Sequence, residues 1–207
     1  MPTDFPDPAR LMRFILELRQ EGVTHARVLS AMERTPRAHY APEHMEGLAM
    51  DDIALPLAHA ESMTRPVIVA RMLAALDPQP NDVVLDVGAG SGYQAAVLAQ
   101  LARKVVTLDR WSDLVATARQ SFGTARLMNV FAHVADGAHG WAADAPYDRI
   151  ILGAAVEEIP PALWEQLKPG GVLVAVVGGR LVRASGDARA DLGPMQLPPM
   201  AEGLGES

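Results

Sequence analysis

From residue 82 onward, short apolar runs alternate with segments of helical periodicity, and few architectures accommodate that alternation. Val83-Val84-Leu85-Asp86-Val87 has the texture of a strand covered on both faces. A glycine loop follows, then a helix from Tyr93 to Ala102. Val105 to Leu108 is a second apolar run, and Leu114 to Phe122 reads as the next helix. Val130 to Val134 is a weaker third strand and Arg149 to Leu152 a fourth. Pro161 to Leu167 is a short helix and Val172 to Val177 a fifth strand. Strand and helix recur at βαβ spacing, which predicts an α/β domain: a parallel sheet with helices on both faces. Leu181 to Ala184 is expected to add a strand with Met195 to Leu197 as its partner. Glu202 to Ser207 is expected to fray.

The segment before the sheet reads as helical. Leu11, Phe14, Ile15 and Leu18 share one helix face, with Glu21-Gly22 as a stop. Val28, Leu29 and Met32 repeat the spacing until Pro36. Residues 50–65 look like a loop punctuated by Pro56 and Pro66. Val67 to Leu76 is a further helix, closed by Pro78 and Pro80. The expected division is therefore 1–80, a helical region with a loop, and 81–207, an α/β core, packed as one compact domain.

Composition removes several classes of function. With no cysteine in 207 residues, there is no disulfide framework, thiolate metal site or cysteine nucleophile. No apolar run reaches the roughly 18–20 residues that span a bilayer. Met1 to Arg10 lacks the basic start and apolar centre of a secretory leader, so a cytoplasmic protein without membrane attachment is expected. A net charge of −7 argues against nucleic acid as a partner, because phosphates need Lys and Arg to neutralise them.

The most informative stretch is Asp86-Val87-Gly88-Ala89-Gly90-Ser91-Gly92-Tyr93, placed between strand and helix, where doubly wound sheets bind nucleotide-like ligands. Glycines permit tight turns and close backbone approach, and helix N–H groups face the ligand. A dinucleotide site prefers G-x-G-x-x-G. Here the spacing is G-x-G-x-G, preceded by an acid. A carboxylate there repels pyrophosphate and suits a ligand carrying an ammonium and a sulfonium, which points to S-adenosylmethionine over NAD. Asp109, ending the second strand, is suited to both ribose hydroxyls, although the same position would serve NAD. Its alternative role is a helix cap, with Ser112 as rival. Asp136-Gly137 sits where an acid facing adenine is expected, or forms an ordinary turn. Trp111, after Asp109-Arg110, packs in the core or borders adenine.

Other chemistries are poorly supported. Ser91 stands in Gly90-Ser91-Gly92 with Ala89 before it, so the G-x-S-x-G elbow of hydrolases is absent. His133, His139 and Asp136 do not have metal-ligand spacing on a helix face, so no metal is expected.

Taken with Ala95-Ala96-Val97-Leu98-Ala99, Ala145-Pro146-Tyr147-Asp148, Glu158-Ile159-Pro160-Pro161-Ala162-Leu163 and Gln166-Leu167-Lys168-Pro169-Gly170-Gly171, the glycine loop and Asp136-Gly137 resemble the protein-L-isoaspartate O-methyltransferase family, from about Val28 to Gly178. The glycine loop and the Lys-Pro-Gly-Gly turn are shared by many methyltransferases. The Glu-Ile-Pro-Pro-Ala-Leu segment is more specific. The resemblance implies a Rossmann-like class I methyltransferase fold, with a mostly parallel seven-stranded sheet. It implies methyl transfer from S-adenosylmethionine to the free carboxylate of isoaspartate in a peptide or protein substrate.

Carried over residue by residue, the resemblance assigns cofactor binding to Asp86, Gly88, Ala89, Gly90, Asp109, Arg110, Asp136 and Gly137. It assigns substrate binding to His59, Ser62 and Thr64, with Ser62 and Thr64 as the catalytic hydroxyls. The family's loop, Gly-His-Gly-x-Thr-Ile-Ser-x-Pro, is here Ala58-His59-Ala60-Glu61-Ser62-Met63-Thr64-Arg65-Pro66. Alanine replaces both glycines, and because alanine has a narrower backbone range, the loop is expected to take another path. Two alternatives accompany this reading: a methyltransferase of the same fold with another acceptor, and a non-catalytic S-adenosylmethionine-binding module.

Overall fold

The computed structural model describes residues 7–205. The reading of Met1 to Arg10 as lacking a secretory leader falls largely outside them, as do the last two residues of the expected frayed tail. Helix α1 (Pro8–Gln20) starts where Asp7 accepts from the Ala9 N–H with proline at the first turn, and it buries Phe14 and Leu18. Helix α2 (Ala26–Glu33) buries Val28, Leu29, Ala31 and Met32. The segment read as a loop contains a small antiparallel pair, β1 (Leu55–Pro56) and β2 (Ser62–Met63). Helix α3 (Pro66–Leu76) begins on a proline and stops at Asp77, which takes a left-handed φ of 47° before Pro78.

The main sheet follows: β3 (Val83–Val87), α4 (Tyr93–Ala99), β4 (Lys104–Asp109), α5 (Ser112–Thr124), β5 (Val130–Val134), β6 (Tyr147–Val156), α6 (Pro161–Glu165), β7 (Leu167–Val177), β8 (Arg180–Ser185) and β9 (Ala188–Pro194). Its seven strands run in the order β5-β4-β3-β6-β7-β8-β9. The first five in that order are parallel, while β8 and β9 fold back as an antiparallel hairpin. The expected partner for the strand at Leu181–Ala184 was Met195–Leu197. The residues that pair there are Ala188–Pro194, reached through a turn at Gly186 with φ 56°. They are mostly exposed, so no apolar alternation marked them.

Alternate residues of each central strand feed two cores. Val84, Val105, Ile151 and Val174 pack with α1 to α5 in one. Leu85, Val106, Ile150 and Leu173 pack with Ile159 and Leu163 of the α6 region in the other. The first core runs from Phe14 to Met195, so the helices before residue 81 share it with the sheet. No helix of the described residues is long and apolar enough to cross a membrane.

One buried charge organises the chain before α3. Arg37 is only 1% exposed. Its guanidinium donates to the carbonyls of Ala49 (2.9 Å), Ile53 (3.0 Å) and Thr64 (3.1 Å). A planar fork with several donors fits carbonyls arriving from different directions, which a single ammonium does not. Arg37→Met should therefore lower stability by about 2–4 kcal/mol, because buried carbonyls lose charged donors. Urea denaturation measures this. Arg37→Lys should recover less than half of the loss, and full recovery would show that charge alone, without the fork, suffices.

Candidate active site

The cleft lies at the carboxyl ends of β3, β4 and β6, where the sheet order reverses between β3 and β6. It is an open cleft whose floor and two walls come from separate parts of the chain. Two backbones meet closely at its floor. A Cβ on Gly153 would lie 3.2 Å from the carbonyl oxygens of Val87 and Gly88, and Gly88 itself has φ +99°. Gly137 is equally confined, since a Cβ there would come within 2.4 Å of the Val87 side chain. These glycines form a cradle that any side chain would fill.

Gly88, Ala89, Gly90, Asp109, Arg110 and Gly137 all line the cleft. Asp109 accepts from the N–H of Gly90 (2.8 Å) and of Trp111 (3.1 Å), and burial raises its pKa against those bonds. Helix α5 starts at Ser112 with Trp111 as its cap residue and no side-chain cap bond, so neither Asp109 nor Ser112 caps it.

Asp86 does not line the cleft. It is fully buried, accepting from Gln94 Nε2 (2.7 Å) and Thr107 Oγ1 (2.7 Å). The reason is strand alternation: Asp86 pairs in register with Thr107, and both turn toward the helix α4 side. The ammonium-facing role expected of this acid therefore passes out of direct contact. Gln94, which its sequence position did not mark, lines the cleft and bonds to Asp86. Asp136 is also outside the lining. Its two oxygens accept from Ala138 N (2.9 Å) and Gly203 N (2.7 Å). His133 stacks on Trp141 and the His139 side chain is 82% exposed.

The hydroxyl loop forms the opposite wall. Ser62 and Thr64 line the cleft together with Glu61 and Met63, and the Thr64 carbonyl is one of those held by Arg37. His59 is turned away from the cleft. Its ring stacks on Trp111 at 3.8 Å, and Nε2 lies 2.8 Å from Asp113 Oδ2. The replacement of glycine by alanine has a visible backbone consequence at residue 60. Ala60 stands in the left-handed region at φ 58°, next to His59 at 59°. Segment 198–201 supplies the remaining wall.

Two measurements follow from these environments. Burial pushes the Asp86 carboxyl up to about 6, against donation from Gln94 and Thr107. The folded state then binds its proton more tightly than the unfolded chain does. That contribution to stability is complete below the unfolded value of 3.8 and is lost as pH rises through about 6. The stability of wild type relative to Asp86→Asn should accordingly fall by on the order of 2–3 kcal/mol between about pH 4 and about pH 7. A difference that stays flat with pH would mean an ordinary carboxyl.

At the loop, Ala60→Gly should raise stability by about 0.5–1 kcal/mol, by relieving the left-handed alanine. Ala58, outside that region, should lose about 0.4–1 kcal/mol when changed to glycine. Thermal melts moving in the same direction for both variants would refute the assignment.

The family model described as Protein-L-isoaspartate(D-aspartate) O-methyltransferase (PCMT) matches residues 10–188. The chain is 42% identical over 210 residues to the protein-L-isoaspartate O-methyltransferase of Ruegeria pomeroyi, covering 97% of this chain and 98% of that one. It is 43% identical over 215 residues to that of Paracoccus denitrificans, covering 99% and 100%. Among solved structures it is similar to the Plasmodium falciparum PCMT in complex with S-adenosyl-L-homocysteine. There the TM-score is 0.80 at 19% identity, over 92% of this chain and 98% of that one. At that identity the likeness speaks for fold alone, and the fold is the Rossmann-like class I methyltransferase fold.

Proposed function

The chain belongs to the protein-L-isoaspartate(D-aspartate) O-methyltransferase family, and from that premise we propose that it methylates the free carboxylate of L-isoaspartyl residues in damaged proteins, using S-adenosylmethionine. The observation that carries this reading is the meeting of two walls in one cleft: the glycine cradle with Asp109 on one side, and Ser62 and Thr64 on the other. Glycines 88, 90 and 137 leave room for close approach of a nucleoside, and Asp109 at the end of β4 is placed to accept from ribose hydroxyls. When bound, S-adenosylmethionine supplies an electrophilic methyl group.

The chain's own contribution is alignment. A carboxylate acceptor is already ionised at neutral pH, so no base is needed to activate it. Hydroxyl donors at Ser62 and Thr64 orient its oxygens in line with the methyl, and enclosure of the cleft keeps water away. Arg37, by fixing the Thr64 carbonyl, keeps the hydroxyl loop at the distance this alignment requires. The partner is a peptide or protein bearing isoaspartate.

Transfer of labelled methyl from S-adenosylmethionine to an isoaspartyl peptide and to its aspartyl twin tests the reading. Label should enter the isoaspartyl peptide alone. Thr64→Val keeps the shape and removes the donor, so turnover should fall about tenfold or more, with S-adenosylmethionine affinity unchanged. A wild-type protein that binds S-adenosylmethionine but labels neither peptide would require a different acceptor.

A further inference from the structure

Two separate segments wall the cleft, residues 61–64 and 198–201, and the continuation of each comes to rest on one side chain. From the hydroxyl loop, His59 lays its ring on Trp111 with centroids 3.8 Å apart and planes 4° apart, and its Nε2 reaches Asp113 on the first turn of α5. From the other end, residues 198–205 cross the cleft as a strap. The strap is tied at three points. Ala155 N donates to the Pro198 carbonyl and Met200 N to the Ala155 carbonyl, both at 2.8 Å. Gly203 N donates to Asp136 Oδ2. Gly205 N donates to the Arg110 carbonyl at 3.0 Å. The strap ends against the Trp111 indole, so closely that a Cβ on Gly205 would fall 2.1 Å from Cε3. Pro198 to Ala201 line the cleft on the way.

Resting on the functional reading above, we propose that Trp111 is the shared seat on which loop and strap close over a bound adenosyl ligand, making it a positioning residue that sets how fast that ligand exchanges. Trp111 does not itself line the cleft; it acts through the two covers. The strap's ties to Asp136 and to the Arg110 backbone put its last turn beside the cleft wall formed by Arg110 and Gly137. Ligand exit therefore requires at least one cover to leave the indole. Both covers are short and surface-lying, as segments that open locally must be.

The test is release of labelled S-adenosylhomocysteine into an excess of unlabelled ligand, measured on wild type, Trp111→Ala, Trp111→Phe and a chain lacking residues 202–207. Trp111→Ala and the deletion should each release about tenfold faster or more, while Trp111→Phe, which keeps a flat ring, should stay within about threefold of wild type. Combining Trp111→Ala with the deletion should add less than about twofold to Trp111→Ala alone, since residues sharing one seat are not additive. The deletion leaves every core residue in place, so it reports even if Trp111→Ala fails to fold. Wild-type release rates in the deletion, or multiplied rates in the combined variant, overturn the proposal. A wild-type protein that holds no adenosyl ligand overturns the functional reading and this inference together. Normal holding with unaffected release overturns this inference alone.

Discussion

No carboxylate forms an ion pair with Arg37 among the described residues. Its charge is met by backbone carbonyls from Ala49, Ile53 and Thr64, in a segment whose regular structure is limited to short 3-10 turns and the two-residue strands β1 and β2. A loop of this kind carries many polar backbone groups and little apolar surface with which to hold itself. The guanidinium supplies one rigid fork of donors on which three carbonyls converge. The hydroxyl wall of the cleft stands where it does because its backbone is fixed from beneath. Thr64, on that wall, is tied directly to this buried fork through its carbonyl.

The cofactor wall is built on the opposite principle. There the constraint is the removal of side chains rather than the addition of a donor. Gly88 and Gly153 let β3 and β6 approach at their carboxyl ends, and Gly137 lets the following turn press against Val87. Asp86 stabilises this wall from behind. It joins Thr107 of β4 to Gln94 of α4, a polar network in which each oxygen has its donor. The acid before the glycine loop thus shapes the cleft without entering it.

How much of this the sequence disclosed depended on range. The central parallel strands were readable because burial on both faces favours near-continuous apolar runs, as in Val83–Val87 and Val172–Val177, and the edge strand β5, with Phe131 and Val134 exposed, gave the weaker pattern. β6 extends past the expected Arg149–Leu152 at both ends, through Tyr147-Asp148 before it and the small residues Gly153 to Ala155 after it. Asp148 there accepts from Val83 N and from Lys168 Nζ, contacts that no periodicity expresses. β9 is exposed on nearly every residue, so it left no pattern at all. The glycine loop and Asp109 were legible as local motifs. Arg37 was not: an arginine after a proline has the appearance of a solvated charge until the chain folds three carbonyls around it. The stretch expected to fray is bonded to Asp136 and Arg110 as far as Gly205, because glycines 203 and 205 give it conformations and clearances that composition alone reads as disorder. The left-handed Ala60 shows the same limit from the other side, with the fold imposing a backbone that the residue type resists.

The core that runs from Phe14 to Met195 bears on how such an enzyme can change over time. The helices on either side of the hydroxyl loop bury their apolar faces in the same core as Val84, Val105 and Val174 of the sheet. The hydroxyl loop is therefore not a detachable module. A first segment transplanted from a relative would bring its own packing surface, and the sheet beneath would have to be repacked to receive it. Change that leaves this shared interior intact is confined to exposed positions, such as 58 and 60 on the loop's rim.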